Sequence, residues 1–438
     1  MPTTNFKNSS GTDIGNTLVG KEYLIDRYPE LADTFKQAGL WAWGIGFIGV
    51  DPADPGGYGP PGTPLPRTSS PIQGYGSNIN WKFVTTSTNY YSVCHAGIKN
   101  DGTLWQWGSG IRDGTATGRI DDLVQQKYTP VQMGISTNWK LVATGRYYMM
   151  GIKTDGTLWG QGNQAASFGV ACGLLGTGSG ATTYTSPVQT ISGGTNWKSV
   201  SCGEFHTMAL KTDGTLWLWG SNNNGRLGIN SFIGDNDASN NRSSPVQTIA
   251  GGTNWKQISA GGGHSTAIKT DGTLWTWGKG SEGQLGDGTA GQKSSPVQVP
   301  GTNWKFVNAG HYNTAAIKTD GTLWGWGMNY AGLLGDGTTT DRSSPVQTIA
   351  GGTNWKTVSC SYFNTSAIKT DVTLWGWGYN GDVNVYGLWG TVGDGTSIHR
   401  SSPVQIAGGG TNWKMVAMGG KQAIAIRDDS ADIFGNTL

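Results

Sequence analysis

The chain has 438 residues, of which 73 are Gly and 21 are Trp; 13% are charged, and the formal net charge is +2. So little charge, with no run of Lys or Arg, lacks the electrostatic footprint of a nucleic-acid-binding protein. The Gly and Trp content describes many tight turns around a large aromatic core, and no apolar segment reaches the roughly eighteen residues that a membrane-spanning helix requires.

Residues 1–38 match no other part of the chain. Their first 25 residues hold no apolar run between a basic start and a small-residue cleavage site, so no signal peptide is expected. Glu30 to Phe35 suits a short helix after Pro29. The segment reads either as a strap packed on the main fold or as an anchor to a larger assembly. Asp13-Ile-Gly-Asn-Thr-Leu18 is echoed by Asp432-Ile-Phe-Gly-Asn-Thr-Leu438 at the other terminus.

From Leu40 onward a repeat sets the organisation. The pattern Leu-Trp-x-Trp-Gly begins at Leu40, Leu104, Leu158, Leu216, Leu274, Leu323 and Leu374, with Gln161 in place of the second Trp of the third copy. Each repeat predicts four strands, for example from Asn254-Trp-Lys to Ala260, over 265–269, over 273–278 and over 295–299. Asp271-Gly272 joins the second and third, because Asp-Gly satisfies the positive φ angles of a two-residue hairpin turn. In Ser-Ser-Pro-Val-Gln, Pro is expected at the start of the fourth strand, since it cannot donate to a ladder. Residues two apart on a strand share a face. Trp41, Trp43, Trp105, Trp107, Trp159, Trp217, Trp219, Trp275, Trp277, Trp324, Trp326, Trp375 and Trp377 therefore read as packing between units rather than as ligand-stacking platforms.

Asn-Trp-Lys begins at Asn80, Asn138, Asn196, Asn254, Asn303, Asn354 and Asn412. The chain thus enters the repeat at a third strand and leaves it after a second, near Gln422 to Ile426. Residues 411–427 and 40–73 together complete one unit. The expectation is an all-β domain over residues 39–428: a seven-bladed β-propeller of four-stranded antiparallel blades, closed by a composite blade built from both termini, with a tail at 429–438.

Evidence for chemistry is thin. Cys94, Cys172, Cys202 and Cys360 are widely spaced and read as small buried thiols. Asp287-Gly288, Asp336-Gly337 and Asp394-Gly395 read as Asx-type turns, because a Ca²⁺ site needs about six converging oxygens. His206 and His264 share a repeat position with Asn313, Asn364 and Tyr148, which points to a structural hydrogen bond near a blade interface. His95, His311 and His399 fall in loops or at loop edges. With no nucleophile elbow and no phosphate-binding loop, no enzymatic activity, metal or cofactor is expected. Two departures stand out: Val372 occupies a turn position that calls for Gly, predicting a different turn, and Gln161 predicts a weakened blade contact or a site where another segment packs.

The second-to-third and fourth-to-first connections are nearly invariant, whereas the third-to-fourth connections vary greatly in length. One face of the ring is therefore uniform and the other variable, as in a binding scaffold. Tyr58, Phe168, Asn223, Phe232, Tyr330, Tyr386 and Trp389 are the candidate contact residues on the variable face. Tyr386, Trp389 and the Asn222–Asn224 loop also suit a glycan.

Leu216-Trp-Leu-Trp-Gly220, Gly203-x-x-His206, Gly261-x-x-His264 and Gly283-Gln-Leu-Gly-Asp-Gly288 resemble the family named for the regulator of chromosome condensation, over residues 39–428. That resemblance implies a seven-bladed propeller with staggered closure. Its namesake is a nucleotide-exchange factor for a small GTPase that uses a wedge hairpin and a basic tail; here there is no basic tail and no insertion that clearly corresponds to the wedge. The regular Asn/Thr/Gly-rich repeats, with Gly11-Thr-Asp-Ile-Gly-Asn16 and Lys21-Glu-Tyr-Leu24, look like members of this family encoded by tailed bacteriophages of marine cyanobacteria. The resemblance implies a non-enzymatic virion protein of tail or capsid, made in the host cytoplasm. Its partners would be other virion proteins, or a host receptor or glycan, and it would be present in multiple copies. The alternative expectation is a soluble protein-binding propeller that inhibits or regulates a partner.

Overall fold

The computed structural model describes residues 38–45, 67–73, 80–88, 94–108, 127–164, 171–180, 182–231, 239–382, 387–388 and 390–428. The chain forms seven four-stranded antiparallel sheets, and among the described residues there is no α-helix. The fourth blade shows the pattern: Trp255–Ala260, His264–Lys269, Leu274–Gly278 and Lys293–Gln298 pair in that order. The seventh blade is composite, as expected. Trp413–Met418 and Gln422–Asp428 supply its inner strands, and Ala38–Ile45 and Arg67–Gln73 its outer ones.

Local chemistry explains the repeated hairpin. Gly272 takes φ 81°. Asp271 Oδ1 accepts from Thr273 N at 2.9 Å and from Thr273 Oγ1 at 2.7 Å, and Trp275 Nε1 donates to Thr273 Oγ1 at 2.9 Å. The turn thus fixes the first Trp of the next strand.

Two expectations are corrected. Val372 keeps the ordinary turn with φ 60°; its N–H donates to Lys369 O at 3.0 Å, as Gly272 N does to Lys269 O. The reason lies in the segment opposite. A Cβ on Gly214 would meet Thr253 O at 1.9 Å, but on Gly272, facing Asn303, its nearest neighbour is 3.1 Å away. Asn303 has φ 67° and Asn412, facing Val372, has φ 81°, so a left-handed Asn turns the obstructing carbonyl aside and a side chain fits. Proline is the second correction: Pro296 lies within Lys293–Gln298 rather than at its start. It sits where the register shifts between the pairs Thr276↔Val297 and Gly278↔Lys293 on an outer strand, so no ladder bond is lost.

The core lies between blades. Met208, Leu210, Leu216 and Leu218 of the third blade pack against Trp255, Ile258 and Trp277 of the fourth. In five blades the second Trp of the pair is also a polar clasp. Trp219 donates its indole N–H to Leu174 O at 2.8 Å, Trp277 to Arg226 O at 2.9 Å and Trp326 to Gln284 O at 3.0 Å, each reaching the preceding blade's third-to-fourth connection. Trp377 and Trp43 do the same with Leu333 and Thr391. The glycines of these connections follow from this contact: a Cβ on Gly286 would lie 2.5 Å from Trp326 Nε1. The first Trp of each pair is half-buried beneath a cation, as Trp275 is under Lys269 at 4.4 Å and Trp41 under Arg427 at 3.9 Å. Gln161, in place of that Trp, donates to Thr185 O of its own blade at 2.8 Å.

Candidate binding face

The first strands of all seven blades surround the axis and line a cavity of about 300 Å³. Its polar groups are largely committed to closing the ring. Ser201, Ser259, Asn308 and Ser359 accept from the N–H groups of Ala260, Ala309, Cys360 and Met418 in the next blade, at 2.9, 2.9, 2.7 and 3.0 Å.

A second belt runs through the starts of the second strands. Thr207 Oγ1 donates to Tyr148 Oη at 3.1 Å; His206 Nε2 pairs with Ser265 Oγ and His264 Nε2 with Thr314 Oγ1, both at 2.9 Å. Gln422 Nε2 meets His95 Nε2 at 2.5 Å. Each contact joins neighbouring blades, as expected for His206 and His264. His95 lies inside the strand Cys94–Lys99 rather than in a loop. Burial pushes His95 and His264 down to about 3, and His206 well below its usual value, so these imidazoles are neutral structural links. Burial likewise pushes the Cys94 thiol up to about 11 and Cys360 to about 12, which removes them as nucleophiles. All four cysteines are buried, and none is in a disulfide. Among the described residues no group of His, Cys, Asp or Glu has a metal-binding arrangement.

The Asp-Gly loops are turns with an added ion pair. Asp336 Oδ1 accepts from Thr338 N and Oγ1 at 3.0 and 2.7 Å, and its Oδ2 meets Arg342 at 3.1 Å. Asp394 repeats this with Thr396 and Arg400, and Asp287 with Thr289 and Lys293.

The two ends of the ring differ. One end carries the repeated Asp-Gly-Thr turns. At the other, where the third-to-fourth connections emerge, the first-to-second connections converge around the axis. Their two-residue tips are Arg146-Tyr147, Glu204-Phe205, Gly262-Gly263, His311-Tyr312, Tyr362-Phe363 and Gly420-Lys421. Arg146 Nη1 bonds Glu204 Oε1 at 2.7 Å, and His311 Nε2 lies 3.9 Å from Glu204 Oε2. Despite that carboxylate, burial together with Lys279, Arg226 and Arg146 holds His311 down to about 3. His311 stacks on Tyr362 with centroids 4.4 Å apart, and Tyr312 Oη meets Tyr362 Oη at 3.2 Å. The rings continue through Phe363 to Tyr379, which meets both Tyr330 and His399.

Of the expected contact residues, Tyr330 belongs to this aromatic run and is 52% exposed. Asn223 is half-buried in the matching turn of the third blade, where its carbonyl accepts from Arg226 Nε at 2.8 Å. Neighbouring Asn222 spends its amide on Ser231 O and Leu227 N, bracing its own loop. Tyr58, Phe168, Phe232, Tyr386 and Trp389 lie outside the described residues. The tips are only two residues long, beside long and variable third-to-fourth connections. Their signal was the variable pair inside Gly-x-x-His, at a fixed place in an otherwise regular repeat.

Residues 83–429 match the RCC1-like domain. Among curated proteins, the chain is 30% identical over 207 residues to the mitochondrial RCC1 domain-containing protein RUG3 of Arabidopsis thaliana, covering 46% of this chain and 44% of that one. It is 28% identical over 321 residues to the ultraviolet-B receptor UVR8 of the same plant, covering 68% of this chain and 64% of the receptor. The matches thus span less than two thirds of these relatives. Among solved structures, Prp20p of Saccharomyces cerevisiae superposes with a TM-score of 0.71 at 15% identity, covering 91% of this chain and 94% of that one. Human WBSCR16 superposes at 0.69 with 18% identity, covering 89% and 99%.

Proposed function

The chain belongs to the RCC1-like domain family, and on that footing we propose that it is a non-catalytic protein-binding propeller, recognising a partner through the end of the ring that carries the first-to-second tips and Tyr330. One observation carries the reading. The charged and aromatic variety of the repeat is concentrated at that end, while the opposite end presents the same turn blade after blade. Rigid sheets presenting dissimilar side chains are how a closed scaffold acquires a specific partner. Tyr is moreover among the residues most often found as interface anchors.

The relatives support a binding or regulatory role. Prp20p has binding properties toward Gsp1p and histones, and UVR8 is a receptor. None of the proteins compared above is a virion component, so the phage-particle reading rests on the sequence resemblance alone. The binding-module reading fits the relatives better.

Affinity purification of the tagged full chain from its native cells tests the proposal. A partner should co-purify in fixed stoichiometry and be lost from Tyr330→Glu, whose melting temperature should match that of the unaltered chain. Failure to recover any stoichiometric partner, or recovery undiminished by Tyr330→Glu, contradicts it.

A further inference from the structure

At the end of the ring opposite the tips, closure gathers charges that the sequence keeps far apart. The residue after the Trp of every first strand is Lys, from Lys82 in the first blade to Lys414 in the seventh, and all seven are exposed. Lys414 meets Asp428 at 2.8 Å; among the described residues none of the other six forms an ion pair or stands over an aromatic ring. Packing does not account for the choice of residue. The very next position, which does pack inward, ranges from Phe83 and Leu141 to Ser199 and Thr357.

The first strands are held in a common register. Gln257 bonds both the N–H and the carbonyl of Val307 at 3.3 Å, and Ser259 accepts from Ala309 N, so neighbouring strands stand nearly level. Lysines at one position of such strands form a ring about the axis. Lys414 lines the axial cavity beside Phe83, Phe306 and Met415, which places the ring at the edge of that cavity.

The charge at this end is unbalanced. Each blade also brings one further cation and one carboxylate there, Lys269 and Asp271 in the fourth, Arg427 and Asp428 in the seventh. Lys269 stands over Trp255 and Trp275 at 4.8 and 4.4 Å and is the cation that acts on Asp271. Among the described residues one cation is thus in excess in every blade. On the axis, equally placed charges of one sign add their potentials.

We infer that this ring of lysines is a binding site for a compact polyanion, a single molecule with several phosphate groups seated on the axis. Lys supplies a mobile point charge suited to phosphate, where a carboxylate would be better matched by the planar fork of Arg. Single-stranded nucleic acid needs open aromatic faces for its bases, and here Trp255 is buried and Trp275 lies under Lys269. A duplex spreads its phosphates along two extended lines, at one charge per roughly 1.7 Å of axis, and would meet only part of a ring. The site lies at the far end from the proposed protein-binding face and does not depend on it.

Isothermal titration calorimetry of the full chain with inositol hexakisphosphate as the probe tests the inference. One probe should bind per chain and weaken as salt rises, and inorganic phosphate should bind far more weakly. Lys140→Gln, Lys256→Gln and Lys356→Gln combined should lower the affinity roughly tenfold, whereas Lys140→Arg, Lys256→Arg and Lys356→Arg combined should retain it. Because these side chains are exposed, both variants should melt at the temperature of the unaltered chain. Removing as much charge from the outer strands, with Lys293→Gln, Arg342→Gln and Arg400→Gln, should leave the affinity unchanged. Absence of binding, several equivalent probes per chain, equal affinity for inorganic phosphate, or the same loss from the outer-strand variant overturns the site. So does a short DNA duplex that binds more tightly than the probe and depends equally on Lys140, Lys256 and Lys356.

Discussion

Single side chains in this repeat are set by what stands opposite them. Val372 holds a β-branched side chain at φ 60°, tolerated because Asn412 opposite it is itself left-handed. A left-handed non-Gly residue costs about 1–2 kcal/mol, part of which is offset by the extra freedom of Gly in the unfolded chain. Val372→Gly should therefore stabilise the protein by about 1 kcal/mol, read from the urea midpoint. Gly214→Val should destabilise it, because Thr253 O blocks the Cβ there at 1.9 Å. The sequence marked position 372 as irregular but left the outcome open, because the relief comes from a backbone angle forty residues further on. The buried histidines set a pH dependence. His95, His264 and His311 hold values of about 3 against an ordinary 6.5. The unfolded chain takes up protons first, so stability is complete above pH 6.5 and is lost as pH falls toward 3. At pH 5 each such histidine costs about 2 kcal/mol. The urea midpoint should fall steeply between pH 7 and 5, and His264→Asn, the residue type found at Asn313 and Asn364, should flatten that slope. A midpoint constant across the interval would show that these rings are not held neutral by the fold.

Each sheet buries one face of Leu, Met and Ile against a tryptophan face of the next. The two tryptophans of a third strand nevertheless do different work. Trp277 is fully buried and clasps Arg226 O, whereas Trp275 is half-buried and bonded within its own blade. Trp277→Ala should cost about 3–5 kcal/mol, and Trp275→Ala distinctly less; equal losses in chemical denaturation would refute the distinction. Strand identity, strand order and the Asp-Gly turn were readable from the sequence because they depend on residues two to five apart. The clasp was not, since it joins Trp277 to a carbonyl fifty-one positions away in another blade. Nor were the tips of the first-to-second connections. Two residues attract less notice than long variable loops, and only the closed ring shows that His311, Tyr312, Tyr362 and Phe363 stack on one another.

At the scale of the molecule, function depends on closure. Ala38–Ile45 pairs along its length with Gln422–Asp428, so the seventh blade exists only when both ends of the chain meet. Deleting residues 1–73 would bare the edge of Gln422–Asp428, and the shortened chain should lose cooperative unfolding and self-associate in sedimentation velocity. Closure also separates the two ends of the ring. The uniform end has its own exposed apolar residues, Ile191, Ile249 and Ile349, which are 62%, 57% and 62% exposed at equivalent repeat positions. They stand apart on separate blades, as scattered surface residues commonly do, while the aromatic residues of the other end are contiguous. The most direct measurement is site-specific photo-crosslinking in native cells, with the reactive residue placed at Tyr330 or Tyr312 at one end and at Thr212 or Ile249 at the other. A single stoichiometric partner captured from Tyr330 and Tyr312, and absent from Thr212 and Ile249, is the predicted result; capture of that partner from Thr212 and Ile249 alone would contradict the assignment of the binding face.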